Sequence, residues 1–436
     1  MRLLRFLKKV NKVKSDIWNN SYPIFIWLVT EPIVGLVDSK IAGLLGERSL
    51  SGVGIGETIY FVLVWVFIFL AYGTTPLVAK LNTQQKFRSL KYFVNYGRNM
   101  SLLLGVLGTL LIFIFSENLI GSFDPSLEVE KEARIYLWIR SIGITFYLVN
   151  MHSTAVLRGL RYPKITLQSA LLVSTLNIFF SYCFAIILDY GILGIGLAST
   201  LSFLITSIYS SSVQRSKLRL LTQSNENVDK NYLRKKFFSI GFQILLRSIF
   251  LTGFMTVLRN QASLLSMKDI AIQHVLLQLW SFGYVAIDSI AIASQTLISE
   301  HISKGIKYYK SELYSNLIQL TAVISIFLLT TSYLFLDKLI IFFAGESFSQ
   351  LSNTQLRLLF SISLFFGSFA FLWDGVLLGL DKVYEFAFIT VWSSIIGIVL
   401  AIYLIQRDPS IISLWIALVV SLVIRSFLGF RYQRTE

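Results

Sequence analysis

Long apolar runs, separated by short polar segments, make up most of this chain. Each run is close to or longer than the roughly 20 residues that a helix needs to cross a hydrocarbon core of about 30 Å. The pattern predicts twelve transmembrane helices, near residues 21–45, 52–79, 94–116, 132–158, 165–188, 191–213, 238–262, 270–300, 310–336, 354–380, 384–405 and 410–431. We therefore expect an all-α polytopic membrane protein.

The polar segments indicate domain boundaries and orientation. Residues 1–20 form a basic amino-terminal segment and residues 214–237 a basic linker, which leave two six-helix bundles, residues 21–213 and 238–431. Lys and Arg are concentrated in alternate segments, and the opposite segments are short or acidic. The positive-inside rule then predicts a multi-pass protein of the plasma (inner) membrane, with both termini and the linker in the cytoplasm. The segment 1–20 is expected to lie as an amphipathic helix on the anionic leaflet.

The two halves of the chain resemble each other at a constant shift of 220 residues. VDSKIAGLL (37–45) aligns with VLRNQASLL (257–265), GTTPLVAK (73–80) with ASQTLISE (293–300), and LRGL (157–160) with LLGL (377–380). An ungapped shift over more than 120 residues indicates an internal repeat. We expect two bundles related by a pseudo-two-fold axis along the membrane normal, with the substrate cavity between them.

Composition excludes several functional classes. The chain is 55% hydrophobic with a mean hydropathy of +0.67, and its net charge of +15 is explained by orientation in a membrane. We therefore expect no nucleic-acid partner. One cysteine and three histidines give neither a disulfide framework nor metal-ligand spacing, so no metal and no cofactor is expected.

Acidic residues inside the apolar runs are the first candidates for function. Asp38 lies in the first run, where a central Asp costs about 2.5 to 3.5 kcal/mol on insertion scales, so it is expected to face a cavity or pathway. Glu31 lies two turns earlier on nearly the same face, beside Pro32, which is expected to kink the helix. Glu31 is therefore either a second proton site or a residue that satisfies groups at the kink. Glu57, in the second run, is a weaker candidate.

In the order and spacing of its motifs the chain resembles the multidrug and toxic compound extrusion (MATE) transporters, specifically their DinF-like branch. The motifs span nearly the whole chain: LVDSKIAGLLG, SLSGVGIGETIYF, AYGTTPLVAK, LRGLRYPK, GILGIGLAST, IQHVLLQLW, IDSIAIASQTLIS and LWDGVLLGLDK. The resemblance implies a cation-coupled antiporter that alternates between outward-facing and inward-facing states. It also implies that Asp38 is the first-helix acid that is protonated or binds a cation during turnover; a structural Asp is the alternative.

The fifth helix departs from the family pattern. Members of the family often have a second Asp on this helix, four residues after an Asn. Here Asn177 is present, but Ser181 occupies the acidic position. Either Asp38 works with Asn177 and polar neighbours, or the coupling has changed.

The second half contributes Asp288 and Asp374 as secondary candidates. Asp374, in WDGVLLG, matches a tenth-helix Asp that contributes to a sodium site in another branch of the family. That branch also uses a seventh-helix Glu, whereas the comparable region here has Gln243 and Arg247. Because Arg247 would repel a cation, an ion pair between Arg247 and an Asp is favoured over a sodium site.

Together these features predict a secondary active antiporter that exports small organic or amphipathic compounds in exchange for H⁺, with Na⁺ as the second choice. The protein is expected to act as a monomer among membrane lipids. With 35 Phe, 20 Tyr and 8 Trp, the chain has more aromatic residues than interfacial belts require, so some should line a cavity for planar substrates.

Two other functions compete with this prediction. A lipid-linked saccharide flippase should line its cavity with several basic residues, but the clearly intramembrane cations are few: Arg140, Arg247 and Arg259. A membrane-embedded acyltransferase should pair a His with a carboxylate. His152 and His274 have no acidic neighbour in sequence, so we expect both to be hydrogen-bonded bundle residues.

Overall fold

A computed structural model of the chain describes residues 2–221, 225–262, 265, 267–306, 312–344 and 354–434. In these ranges all regular elements are helical. Fourteen α-helices are defined there, with a π-helical turn at Cys183–Ile187: α1 Arg2–Leu45, α2 Glu47–Val66, α3 Phe69–Tyr72, α4 Thr74–Thr83, α5 Phe87–Gly121, α6 Leu127–Gly159, α7 Pro163–Tyr182, α8 Gly191–Arg219, α9 Lys230–Ala262, α10 Met267–Ser303, α11 Glu312–Ala344, α12 Thr354–Gly379, α13 Val383–Arg407 and α14 Ile411–Tyr432.

The predicted runs coincide with these helices, and the all-α polytopic fold class is confirmed. Eleven runs each fall on one helix, the fifth continuing into the π-helical turn, and the second is divided among α2, α3 and α4. Among the described residues, nine helices are long and apolar enough to span a membrane, and the broken α2–α4 segment gives a tenth. Helices α1 and α6 are not among these ten, and each carries a buried charge, Asp38 in α1 and Arg140 in α6.

The helices extend beyond the predicted runs in three places. Helix α1 is continuous from Arg2, so the basic segment 1–20 and the first run form one helix. Helix α8 continues to Arg219 and α9 begins at Lys230, so the predicted linker 214–237 is helical at both ends. Hydropathy marks only the part of a helix that lies in hydrocarbon. Lys, Arg and Gln favour helix, so a helix continues into the polar region.

Packing divides the chain into two units. The amino-terminal unit is Tyr22–Gly241, and the carboxy-terminal unit is Phe242–Glu436 together with Met1–Ser21. In the amino-terminal unit, α6 packs against α2, α5 and α8. In the carboxy-terminal unit, α12 packs against α10, α11 and α14. Each unit therefore has one central helix that positions its polar residues.

The shift of 220 residues recurs in local geometry. Helices α6 and α12 both end at a glycine, Gly159 and Gly379, and α7, α13 and α8, α14 begin 220 residues apart. The turns match, since Arg161 and Asp381 both adopt a left-handed backbone, with φ of 69° and 67°. A Cβ on Gly159 would lie 2.6 Å from the Thr75 carbonyl oxygen, and one on Gly379 would lie 3.2 Å from that of Gln295. The two units thus share the same helix crossing at equivalent positions.

Candidate functional site

Asp38 is buried in the amino-terminal unit, with 1% of its surface exposed. The Ser181 hydroxyl of α7 donates a hydrogen bond to Asp38 Oδ1 at 2.8 Å, across 143 residues of sequence. The structure therefore brings together Asp38 and Ser181, two residues that the sequence singles out. Ser181 is itself fully buried, so this contact is shielded from water.

Asn177 lies one turn before Ser181 on the same helix. Its amide nitrogen donates to the Ser199 hydroxyl of α8 at 2.8 Å. Its amide oxygen is buried and has no hydrogen-bond partner among the described residues. A buried acceptor without a partner costs about 1 to 3 kcal/mol, so this oxygen is available to a proton donor that enters the cavity.

Glu57 of α2 also faces this region and is half-buried. The phenol of Tyr136, a buried residue of α6, donates to Glu57 Oε1 at 3.4 Å. Glu57 is therefore the second carboxylate of the site, although it comes from α2 and not from the fifth helix.

Arg140, one turn after Tyr136 on α6, supplies the positive charge of the site. Its guanidinium lies 4.4 Å above the ring centroid of Tyr60 and 5.6 Å from that of Phe203. It interacts electrostatically with Asp38 and Glu57, but no ion pair within 4.0 Å joins it to either carboxylate in the described part of the chain. The site thus holds charges of both signs that are close but not in contact.

These side chains line a partly open cavity within the amino-terminal unit, whose empty space is about 820 Å³ when the open solvent at its mouth is included. The walls come from α1, α2, α6, α7 and α8. The lining residues are Trp27, Thr30, Val34, Gly35, Asp38, Glu57, Phe61, Arg140, Tyr147, Asn150, Met151, Thr154, Thr166, Ser169, Ala170, Val173, Ser174, Asn177 and Phe203. An aromatic and aliphatic wall with a few convergent polar groups is typical of a small-molecule site.

The secondary candidates in the carboxy-terminal unit form a separate ion cluster. Arg247 Nη2 lies 3.3 Å from Asp374 Oδ2, and Arg425 also donates to Asp374 Oδ2. Asp288 interacts electrostatically with all three. The pairing of Arg247 with an Asp is the arrangement that sequence analysis favoured over a sodium site, and Arg425 adds a second guanidinium to it.

The remaining predicted residues are either outside the described residues or buried away from the cavity. The side chains of Glu31, Pro32 and His274 lie outside the described residues, so the roles predicted for them stay predictions. His152 is fully buried in the amino-terminal unit, with Nε2 3.1 Å from the Val94 carbonyl oxygen and Nδ1 3.5 Å from the Thr74 hydroxyl. That environment matches the expected hydrogen-bonded bundle residue.

Three participants in these two sites are not predicted by the sequence pattern. These are Tyr136, Arg140, which the sequence shows only as an intramembrane cation, and Arg425, which lies in the last apolar run. The signal for the first two was their spacing of four residues, which places both on one face of α6. Which helices that face meets depends on long-range packing, and a single sequence does not reveal it.

Comparison with known proteins connects this architecture to a family. The MatE family model matches residues 23–183, which contain Asp38, Glu57, Arg140 and Asn177 as well as Ser181. Protein DETOXIFICATION 43 of Arabidopsis thaliana is 22% identical, with 98% of this chain and 91% of the relative covered. DNA damage-inducible protein F of Escherichia coli is 26% identical, with 64% of this chain and 61% of the relative covered.

A solved structure extends the comparison to the whole fold. An outward-facing multidrug resistance MATE family transporter of the MOP superfamily matches with a TM-score of 0.86 and 19% identity, over 97% of this chain and 95% of that one. The fold is therefore that of a multi-pass integral membrane protein. The resemblance to the MATE transporters that the sequence motifs indicate is confirmed by the family model over residues 23–183, by these relatives and by the shared fold. The match to DNA damage-inducible protein F supports the DinF-like branch.

Proposed function

We propose that the protein is a secondary active antiporter that exports small organic or amphipathic compounds by alternating access, in exchange for H⁺. The observation that carries the proposal is the buried Asp38 at the wall of a cavity in a MATE-family fold. Burial favours the neutral form of a carboxyl group, so a proton gradient is able to load and unload it. The MATE relatives support export of xenobiotics as the biological role.

The charge of Arg140 favours H⁺ over Na⁺ as the coupling ion. A sodium ion beside Asp38 would be repelled by the guanidinium in the same cavity. A proton instead binds to the carboxylate itself and leaves no separate cation. A saccharide flippase is not favoured, because Arg140 is the only basic residue among the described residues that line the cavity.

Export from vesicles tests the proposal. The whole purified protein is reconstituted, and a pH gradient or a Na⁺ gradient is imposed separately. The probes are planar aromatic compounds that carry a positive charge (ethidium), a negative charge (2-naphthoate) or both (6-(aminomethyl)-2-naphthoate). We expect the pH gradient to drive at least one probe against its concentration gradient. Transport driven by Na⁺ alone would make sodium the coupling ion, and no driven transport of any probe would contradict antiport.

We propose that both termini and the central linker lie in the cytoplasm, in agreement with the positive-inside rule. A single cysteine at Asn225, an exposed linker residue, should be protected from an impermeant thiol reagent in intact cells and react after permeabilisation. The native Cys183 is replaced by Ser in the background. A cysteine at the exposed Asp124 of the α5–α6 turn should show the opposite pattern. Reaction of the Asn225 position from outside would reverse the topology.

Replacing Ser181 with Asp should shift the pH dependence of transport. The Ser181 hydroxyl is 2.8 Å from Asp38 Oδ1, so the variant places two carboxyl groups side by side. Two carboxylates at this range do not both ionise cheaply, and the pair should retain a shared proton to higher pH. The measurement is export across an external pH series, normalised to the amount of protein in the membrane.

Ser181→Asn is the matched control, because it adds the same volume without a carboxyl group. Its pH profile should stay where the unmodified protein has it. Superimposable profiles for Ser181→Asp and Ser181→Asn would mean that the carboxyl group at position 181 does not affect the coupling site.

A further inference from the structure

We infer that the amino-terminal unit binds one anionic phospholipid at its linker end, the end from which the central linker leaves. The phosphate of the lipid is received by Lys230 and Arg234 on α9, beside the tyrosine pair Tyr92 and Tyr96 on α5. The inference goes beyond antiport and does not depend on it, because none of these four residues lines the cavity that contains Asp38. It is carried by the contacts among these four side chains.

The tyrosine pair holds both cations. The rings of Tyr92 and Tyr96 are stacked, with centroids 6.2 Å apart and an angle of 14° between their planes. The hydroxyl of Tyr92 accepts a hydrogen bond from Arg234 Nε at 2.7 Å. The Arg234 guanidinium lies 5.6 Å from the ring centroid of Tyr96, and Lys230 Nζ lies 5.8 Å from that of Tyr92. Both distances are within the range of a cation–π interaction, so the two positive charges are fixed beside one aromatic surface.

Arg234 keeps most of its hydrogen-bond donors. A guanidinium has five N–H groups, and Nε is the only nitrogen of this one that has a partner in the described part of the chain. With Nε bonded to Tyr92, the Nη1–Nη2 edge remains for two oxygen atoms of a phosphate. The ammonium group of Lys230 adds three donors, and it forms no hydrogen bond or ion pair with any described residue.

The two cations are one turn apart on α9 and have no acidic partner in the described ranges. Like charges four residues apart destabilise a helix, and a bound anion removes that cost. The two nearest carboxylates along the chain accept hydrogen bonds from backbone amides. Glu226 Oε1 accepts from an amide in the first turn of α5 at 3.0 Å, and Asp229 Oδ1 accepts from an amide in the first turn of α9 at 2.9 Å. The positive charge of Lys230 and Arg234 is therefore left for a ligand.

The opposite end of the same unit pairs its arginines with acids. There Arg48 forms a 2.9 Å ion pair with Glu128, and Arg134 forms ion pairs with two glutamates. At the linker end, residues 86–98 and 226–236 together contain eight Lys or Arg residues and only two acidic residues. Positive charge that the chain does not compensate attracts an anion, and the headgroups of anionic lipids are the anions concentrated at a membrane surface.

The neighbouring surface indicates a lipid and not a soluble anion. Phe238, one turn beyond Arg234, is 58% exposed, and its ring centroid lies 6.5 Å from that of Tyr96. On α5 the exposed residues also become apolar within two turns of Tyr96, where Leu103 is 50% exposed. The surface of α9 thus changes from cationic to apolar over about 6 Å of helix, as at a boundary between headgroups and hydrocarbon. The phosphate binds at the cations, and an acyl chain lies along Phe238.

Native mass spectrometry of the whole detergent-purified protein tests the inference. The matched probes are palmitoyl-oleoyl phosphatidylglycerol and palmitoyl-oleoyl phosphatidylcholine, which share their acyl chains but differ in headgroup charge. The unmodified protein should bind the first molecule of phosphatidylglycerol about tenfold or more tightly than phosphatidylcholine, because choline adds a positive charge beside two cations. Lys230→Gln combined with Arg234→Gln should abolish this preference. Phosphatidylglycerol should also raise the thermal midpoint of the unmodified protein and leave that of the double variant unchanged.

Lys164→Gln combined with Arg215→Gln is the matched control. Both residues are exposed cations of the same unit, and neither has an aromatic contact or an ion pair within the described ranges. This double variant loses the same net charge and should keep the preference for phosphatidylglycerol. An equal loss of the preference in both double variants would mean that general positive charge attracts the lipid, and that result would overturn the inference. No preference in the unmodified protein would overturn it as well.

Two further measurements separate an ordered site from a charged surface, and a lipid from a free phosphate. Tyr92→Phe keeps the ring and removes the acceptor that orients Arg234, so phosphatidylglycerol should bind severalfold more weakly. Unchanged binding by Tyr92→Phe would contradict the site described here. The soluble probe sn-glycerol 3-phosphate has the phosphate without acyl chains and should not displace phosphatidylglycerol at equal concentration. Displacement would make the ligand a soluble phosphate and would reject the lipid site.

Discussion

Replacing Asp38 with Asn should reduce gradient-driven export to the level of vesicles without protein. The Asn side chain keeps an oxygen that accepts the 2.8 Å hydrogen bond from Ser181, so the local packing should survive. It has no titratable proton, so it is unable to exchange the proton on which coupling depends. The measurement is export under an imposed pH gradient, normalised to folded protein in the membrane.

Asp124→Asn is the matched control for this loss. Asp124 is exposed in the turn between α5 and α6, with a φ of 47° that Asn tolerates well. The control removes the same charge outside the apolar runs and should export like the unmodified protein. Driven export by Asp38→Asn at the unmodified rate would remove Asp38 from the coupling mechanism and leave Glu57 as the carboxylate to test.

Replacing Asp374 with Asn should lower the free energy of unfolding by about 3 to 5 kcal/mol, the usual cost of leaving a buried charge without its partner. Asp374 is the shared acceptor of Arg247 and Arg425, and all three are buried. Without this carboxylate, two guanidinium groups remain close together, and Asp288 interacts with them only electrostatically. The expected result is a large fall in thermal midpoint and in expression, measured on the detergent-purified protein.

Two comparisons make this prediction specific. Asp337 and Arg357, also in the carboxy-terminal unit, form a 3.2 Å pair that is partly exposed. Asp337→Asn should therefore cost only about 0 to 1 kcal/mol. Export per folded molecule should survive in Asp374→Asn, since the coupling carboxylate is assigned to the other unit. Loss of driven export at unchanged stability would move the ion site to the carboxy-terminal half.

The fold was predictable because a helix that spans a membrane needs a long apolar run. Such a run consists of consecutive residues, so a single sequence is enough to identify it. The break between α2 and α4 was not, because VWVFIFLAYG is uniformly apolar and hydropathy does not register a change of direction. The polar ends of α8 and α9 were not predicted either. A helix with a polar surface forms no apolar run, so hydropathy does not distinguish it from a loop.

The site was predictable only where a charged side chain interrupts an apolar run of the sequence. Asp38 stands out because it is an acid among apolar residues, and family resemblance linked it to Asn177 and Ser181. Nothing in the sequence states that α6 turns Arg140 toward the same cavity, or that Tyr136 reaches Glu57 across 79 residues. Those contacts depend on how helices pack, and their partners are distant along the chain.

The π-helical turn at Cys183–Ile187 affects how the fifth span is compared with its relatives. In this turn the Leu188 amide donates to the Cys183 carbonyl, five residues back, so the turn accommodates one extra residue. The turn also ends the span, since the chain leaves the helix after Ile187 and the next helix, α8, begins at Gly191. Ser181 precedes the widened turn and keeps its register with Asn177. The widened turn therefore leaves unchanged the spacing of four residues between Asn177 and Ser181, on which the comparison with the family pattern rests.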